Sequence, residues 1–462
     1  MMELPRIIQG GMGVGISGWQ LARAVSTTGQ LGVVSGICLD ELMVRRLQMG
    51  DPEGHIRRAL DHFPIKEMAR NILDKFFKER GKGADEPFMP AGNMVGEINA
   101  ERENLIVAGS FTEIFLAKEG HKGVIGVNLL EKIQTDCLST LYGCMLAGVD
   151  YVTVGAGIPK EIPGILDSLS KNIVTKMRLA VTNAISTDDF RLTFDPSRFM
   201  QSLPLKRPKF LAIIASNVLA TTLAKKSNGK VDGFIIEAPV AGGHNAPPRG
   251  AMQLNEQGEP IYGAKDEVDL EKIKELGIPF WLAGAYSLRG KVKEAIAKGA
   301  AGVQAGTPFF MCKESGLTDE LRNQILASDR RVVTEPKASP TGFPFKVVQA
   351  AGTLSEDSVY KARPRVCNFG YLRERYRKDN GTMGFRCAAE PVAAYVAKGG
   401  TPELAEGCKC LCNGLIVAIG LGSVYKNGYR EPAILTAGDV LSEIDYLRSD
   451  LTAKEVVDYL LE

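Results

Sequence analysis

The sequence holds four histidines, and one of them, His244, stands in Ala241-Gly-Gly-His-Asn-Ala-Pro directly after the apolar run Asp232-Gly-Phe-Ile-Ile-Glu. An imidazole titrates with an ordinary pKa of ~6.5, so it can move a proton or polarise a bound group near neutral pH. A single histidine can equally be a satisfied core residue. Its place at an expected strand end, behind Gly242 and Gly243, favours a functional role. His55, His62 and His121 fall in expected helices or loop insertions and receive no role.

Other apolar runs also end in glycine and small polar residues. Gln9-Gly-Gly-Met, Asn128, Gly155-Ala-Gly, Ser216-Asn217, Glu237, Ala283-Gly-Ala and Ala305-Gly-Thr are the set. Glycine lets backbone N–H groups approach a ligand closely, which is chemistry suited to an anionic phosphate. Gly284, Gly306 and Thr307 are therefore the candidates for a phosphate site. One phosphate site is expected, because Gly13-Val-Gly15 is only a fragment of a dinucleotide fingerprint.

Nine cysteines form a third group, with Cys367, Cys387, Cys408, Cys410 and Cys412 crowded towards the C-terminus. Three thiols within five residues have a density that soft metals favour. The C-x-C-x-C spacing, however, matches neither the C-x2-C pairs of structural zinc sites nor bacterial ferredoxin runs. Two readings stand, a metal or iron–sulfur site and buried or redox-active free thiols; the spacing favours the thiols, and no metal is assigned. An odd count without a signal peptide argues against a disulfide framework.

These residues need a scaffold that brings strand ends together. Short apolar runs open at Arg6, Leu31, Gly123, Tyr151, Lys209, Asp232, Pro279 and Gly302, most of them separated by helical spacing such as Trp19 to Ser26 and Cys137 to Ala147. Ser17 is expected to cap the first of those helices. Continuous apolar strands alternating with helices mark a parallel sheet, and eight repeats predict an α/β fold closed as a (β/α)8 TIM barrel. The barrel is expected over residues 1–330, with insertions at about 41–105 and, as a β-hairpin, at 173–207. Residues 331–462 break the alternation and are read as an appended α-rich, cysteine-containing module.

The 56 basic and 54 acidic residues nearly cancel and form no stripe, which excludes a nucleic-acid surface. No window reaches the ~18 apolar residues of a spanning helix, and no apolar leader is visible, so a cytoplasmic protein without membrane contact is expected.

The segments Ile8-Gln-Gly-Gly-Met-Gly, Gly126-Val-Asn128, Glu237 through His244, Leu282-Ala-Gly-Ala and Gly302-Val-Gln-Ala-Gly-Thr307 together resemble the nitronate monooxygenase (2-nitropropane dioxygenase) family, in order from residue 5 to about 312. The resemblance implies an FMN-dependent oxidoreductase in which His244 faces the flavin as base or polarising group. It also implies a cofactor-binding set of Gly10, Gly11, Met12, Asn128, Ser216, Glu237, Gly242, Gly243, Ala283, Gly284, Ala285, Gln304, Ala305, Gly306 and Thr307. The family's fold is shared with FMN-dependent enoyl-acyl-carrier-protein reductases, and the long cysteine-bearing C-terminus is similar to a subgroup related to them. Oxidation of alkyl nitronates or nitroalkanes with O2 is the leading expectation. Enoyl-thioester reduction with NAD(P)H is the rival, and a non-catalytic flavin-barrel scaffold subunit is the third reading. Expected partners are the small-molecule substrate, with NAD(P)H, acyl carrier protein and a second copy of the chain as candidates.

Overall fold

The computed structural model describes residues 4–92, 99–199 and 204–462. Eight parallel strands form its centre: β1 (Ile7–Gln9), β2 (Gly32–Ser35), β3 (Ile125–Leu130), β4 (Tyr151–Gly155), β5 (Lys209–Ile214), β6 (Gly233–Glu237), β7 (Phe280–Ala283) and β8 (Gly302–Ala305). They pair in the order β1-β8-β7-β6-β5-β4-β3-β2. A parallel bridge from Ile8 to Leu31 joins the two ends, and Gln9 N–H donates to the Leu31 carbonyl at 2.9 Å. The sheet therefore closes as the (β/α)8 barrel expected from the sequence.

Alternation along each strand explains the closure. Ile8, Leu31, Val33, Tyr151, Leu211, Ile235 and Trp281 pack together as a buried cluster separate from the one under the helices. Trp281 fills much of it, and its indole N–H donates to the Pro5 carbonyl at 2.7 Å. The opposite faces pack on the helices. At Gly32 a Cβ would lie 1.8 Å from the Ala22 carbonyl oxygen, so only glycine lets α1 (Trp19–Ser26) sit this close to β2.

Three helices, α2 (Leu39–Gln48), α3 (His55–His62) and α4 (Lys66–Phe76), follow β2 before α5 (Ala100–Lys118) leads into β3. Between β4 and β5 the hairpin expected there forms, Thr175–Arg178 pairing antiparallel with Arg191–Phe194. Ser17 does not cap α1, whose N-cap is Gly18 without a side-chain bond. Its hydroxyl is held instead by the loop after β1, accepting from Met12 N–H at 2.8 Å and donating to the Gly10 carbonyl at 3.0 Å.

Residues 331–462 carry short helices, ending in Ala453–Leu461 with a Thr452/Glu455 capping box, and two hairpins, Val332–Glu335 with Phe345–Val348 and Glu374–Arg377 with Met383–Arg386. Buried polar contacts tie this region to the rest of the chain. Tyr371 donates to Asp40 at 2.6 Å, and Arg45 donates to the Leu421 carbonyl at 2.6 Å. No helix among the described residues is long and apolar enough to cross a membrane.

Candidate active site

The C-terminal ends of the barrel strands open into a cavity of about 1170 Å³, counting its mouth. Its floor is held from beneath by Gln9, which does not line it. Gln9, fully buried, accepts from Val33 N–H at 2.9 Å and donates to Ser17 at 2.8 Å and to the Gly10 carbonyl. Gly10 N–H donates to the Ala305 carbonyl at 2.8 Å, which locks the β1 loop to β8. Gly11 lies on Asn128 so closely that a Cβ would come within 2.3 Å of the asparagine Cβ. Asn128 in turn donates to the Gly11 carbonyl at 3.3 Å and accepts from Thr153 at 2.7 Å, so its amide is fixed in one orientation.

Across the cavity, Gly284 and Ala285 both take left-handed backbone conformations, at φ +81° and +54°. The main-chain N–H groups of Gly284, Ala285, Gly306 and Thr307 have no hydrogen-bond acceptor among the described residues, and all four residues line the cavity. Unpaired main-chain donors around one space are rare unless something anionic or polar completes them. Thr307 contributes its hydroxyl elsewhere, accepting from Gly438 N–H at 2.9 Å.

Fourteen residues of the implied set meet at this cavity: Gly10, Gly11, Met12, Asn128, Glu237, Gly242, Gly243, His244, Ala283, Gly284, Ala285, Gln304, Gly306 and Thr307. Two do not. Ala305 is buried in β8 and offers only its carbonyl to Gly10. Ser216 caps the helix Asn217–Lys226, accepting from Leu219 N–H at 3.1 Å, and faces a neighbouring cavity.

That second cavity, of about 950 Å³, shares Ala156, Ile213, Glu237 and His244 with the first. Its walls mix apolar residues, Ile158, Leu219, Pro239, Pro247 and Phe343 among them, with Asn245, Arg249, Tyr262 and Asp266. Glu237 and His244 thus stand where the two spaces join.

Their environments push both towards neutrality. Burial lowers the His244 imidazole to about 4, well below its ordinary value, so it is uncharged at neutral pH. Burial raises the Glu237 carboxyl to about 8, and no side chain among the described residues pairs with it. The expectation of a histidine titrating near neutrality is therefore corrected: burial, with Phe345 edge-on at 4.8 Å, disfavours the imidazolium. His244 Nε2 bonds the Ser339 hydroxyl at 2.7 Å, which is shared with Thr341 at 2.8 Å, so Nδ1 is the nitrogen left for a ligand.

Ser339 was not legible as a site residue, because it lies far beyond the barrel in Pro336-Lys-Ala-Ser-Pro. The same holds for Phe345, Leu415, Thr436, Ala437, Gly438 and Val440, which wall the cavity from the C-terminal region. Gly243 N–H donates to Thr436 at 2.9 Å, and Lys346 N–H donates to the Gly243 carbonyl at 3.0 Å. At Gly242 a Cβ would meet the Ala437 carbonyl carbon at 2.7 Å, which explains the need for glycine there. The glycine pair was the available signal that another backbone packs on this loop.

A family model described as nitronate monooxygenase matches residues 167–362, a span that includes β5 to β8, His244 and Ser339. The match bears out the resemblance and marks the chain as an oxidoreductase similar to nitronate monooxygenases. No curated protein matches the sequence. Among solved structures, FabK from Thermotoga maritima is 17% identical, with 99% of this chain and 91% of that chain covered and a TM-score of 0.50. A nitroalkane oxidase from Streptomyces ansochromogenes is 15% identical, with 100% and 95% covered and a TM-score of 0.50. At such identities these two speak for the shared fold.

Proposed function

We propose that this chain is a cytoplasmic oxidoreductase that binds one FMN at the barrel mouth and oxidises alkyl nitronates with O2. The observation that carries the reading is the set of unpaired main-chain donors at Gly284, Ala285, Gly306 and Thr307, opposite a floor of Gly10, Gly11 and Asn128. A phosphate fits the first, and a flat ring fits against the second, where glycine leaves the backbone bare. Bound flavin would supply the electron chemistry; binding, orientation and proton control fall to the protein. We divide the chain at about residue 330, the barrel carrying the cofactor and residues 331–462 closing the site.

His244 and Glu237 define what the substrate brings. At neutral pH both are uncharged, and the carboxyl keeps its proton because its pKa of about 8 lies above the medium. Neither is a ready proton acceptor. Both can donate a hydrogen bond, His244 from Nδ1 and Glu237 from its acid proton, to an oxygen carrying negative charge. A nitronate, already deprotonated, suits such a pair; a neutral nitroalkane, whose carbon must first lose a proton, does not.

The second cavity favours one further reading. Its size exceeds the needs of a short nitronate and suits an acyl chain, as in enoyl-thioester reduction with NAD(P)H. There the Glu237 acid would deliver the proton to the carbon beside the carbonyl. Anaerobic mixing tests the two readings. Nitronate should bleach the protein's visible absorption, with oxygen consumed on readmission of air, while NAD(P)H leaves it unchanged. Rapid bleaching by NAD(P)H, with nitronate inert, would replace the first reading by the second, and a colourless protein inert to both would leave a scaffold.

A further inference from the structure

The thiols at the C-terminal end are arranged more specifically than their spacing suggests. Cys367, Cys387, Cys410 and Cys412 come from three separate segments and line one small chamber, together with Pro340, Phe369, Leu372, Ala389 and Leu411. Cys408, adjacent in sequence, faces away into the surface cleft beside Lys337 and Tyr395. The alternation of Cys408, Cys410 and Cys412 therefore divides the run, with two thiols pointing in and one out.

Hydrogen-bond donors surround the sulfurs in the chamber. Main-chain N–H groups of Tyr371 and Leu372 point at Cys412, that of Ala389 at Cys387 and that of Asn413 at Cys410, whose sulfur also accepts from the Asn413 side chain at 3.4 Å. The Cys387 thiol and the Arg373 guanidinium both hydrogen-bond the Cys367 sulfur. Arg363 adds positive charge beside Cys410. Thiolates are the ligand form of cysteine, and N–H groups aimed at cysteine sulfur are the usual surroundings of iron–sulfur clusters.

A single ion fits poorly. Zinc would draw four sulfurs to ~2.3 Å from one point. Among the described residues no three histidine, cysteine, aspartate or glutamate side chains gather that closely. Four thiols facing a common space, too small for an organic cofactor, match four-cysteine ligation of a cubane cluster.

We propose that Cys367, Cys387, Cys410 and Cys412 bind a [4Fe–4S] cluster, a site independent of the flavin reading. It lies beside the barrel mouth: Pro340, in the chamber wall, follows the Ser339 that holds His244, and the helix Leu411–Val417 puts Leu411 on the chamber and Leu415 on the main cavity. Loss of the cluster should therefore loosen His244 as well as the C-terminal region.

The test is metal and acid-labile sulfide analysis of the full chain, purified anaerobically and again after reconstitution with ferrous iron and sulfide. About four irons and four sulfides per chain are expected, with a low-temperature EPR signal after dithionite reduction. Cys412→Ser should lose iron and sulfide, while Cys408→Ser should keep both. Stoichiometric zinc without iron, no metal in either preparation, or equal iron loss in the two variants would overturn the proposal. If Cys412→Ser fails to fold, the wild-type analysis and the Cys408→Ser protein still decide.

Discussion

The glycine-lined mouth and the thiol-lined chamber are two small sites assembled by opposite means. The mouth is made from backbone. Its main wall is a ring of strand-end loops that the barrel brings together whatever their side chains, and glycines at 10, 11, 242, 284 and 306 leave the main chain bare. The chamber is made from side chains, four sulfurs delivered by two loops and the start of the short helix Leu411–Val417. A backbone site should tolerate change in any side chain but not the addition of one. A side-chain site should fail on removal of a single sulfur.

The largest effect should follow from filling the mouth. Gly11→Val places atoms where even a Cβ would sit 2.3 Å from that of Asn128, so flavin should be lost almost completely while iron and fold remain. Released-flavin absorbance together with iron analysis checks this, and simultaneous loss of both groups would show that the two sites are one unit. His244→Ala should come next. It should retain flavin, because the unpaired donors lie on other loops, and lose ~10²–10³-fold in turnover, the range for loss of one preorganised hydrogen-bond donor.

Glu237→Gln sharpens the electrostatic side. In the wild type, turnover of an anionic substrate should fall as pH rises through about 8, where the carboxyl ionises and repels it. The Gln variant should lack that limb in a kcat/KM profile. The same carboxyl has a folded pKa raised above its unfolded value, so it favours the fold below the ordinary carboxylate range and opposes it progressively as pH rises through about 8. Glu237→Gln should accordingly gain thermal stability over the wild type at pH 9 and show no gain at pH 4.

Ser339→Ala, the smallest change, removes one hydrogen bond to His244, and ~10-fold in kcat corresponds to the ~1.4 kcal/mol such a bond commonly contributes. Flavin content and KM should stay near wild type, and Ser339→Thr should restore the rate. A loss shared with flavin content would instead place Ser339 in the scaffold.

The same contrast explains what the sequence disclosed. The eight strands were legible because each is a short apolar run ended by glycine, and the strand-end rule then led to His244 and its glycines. The residues missed at the mouth, Ser339, Phe345 and Thr436 to Gly438, act from a region whose path over the barrel no local pattern encodes. Ser17 was misread for a related reason: a serine before a helix looks like a cap, yet the β1 loop competes for its hydroxyl and wins with three bonds. The convergence of four cysteines depends on the hairpin Glu374–Arg377/Met383–Arg386 and the turns around it, so spacing alone left the thiols undecided.

The central claim is that the unpaired donors after β7 and β8 hold one mononucleotide flavin. Mass spectrometry of the chromophore released by heat from the freshly purified chain tests it directly. One FMN per chain is the predicted result; FAD, or no flavin even after incubation with FMN, would contradict it.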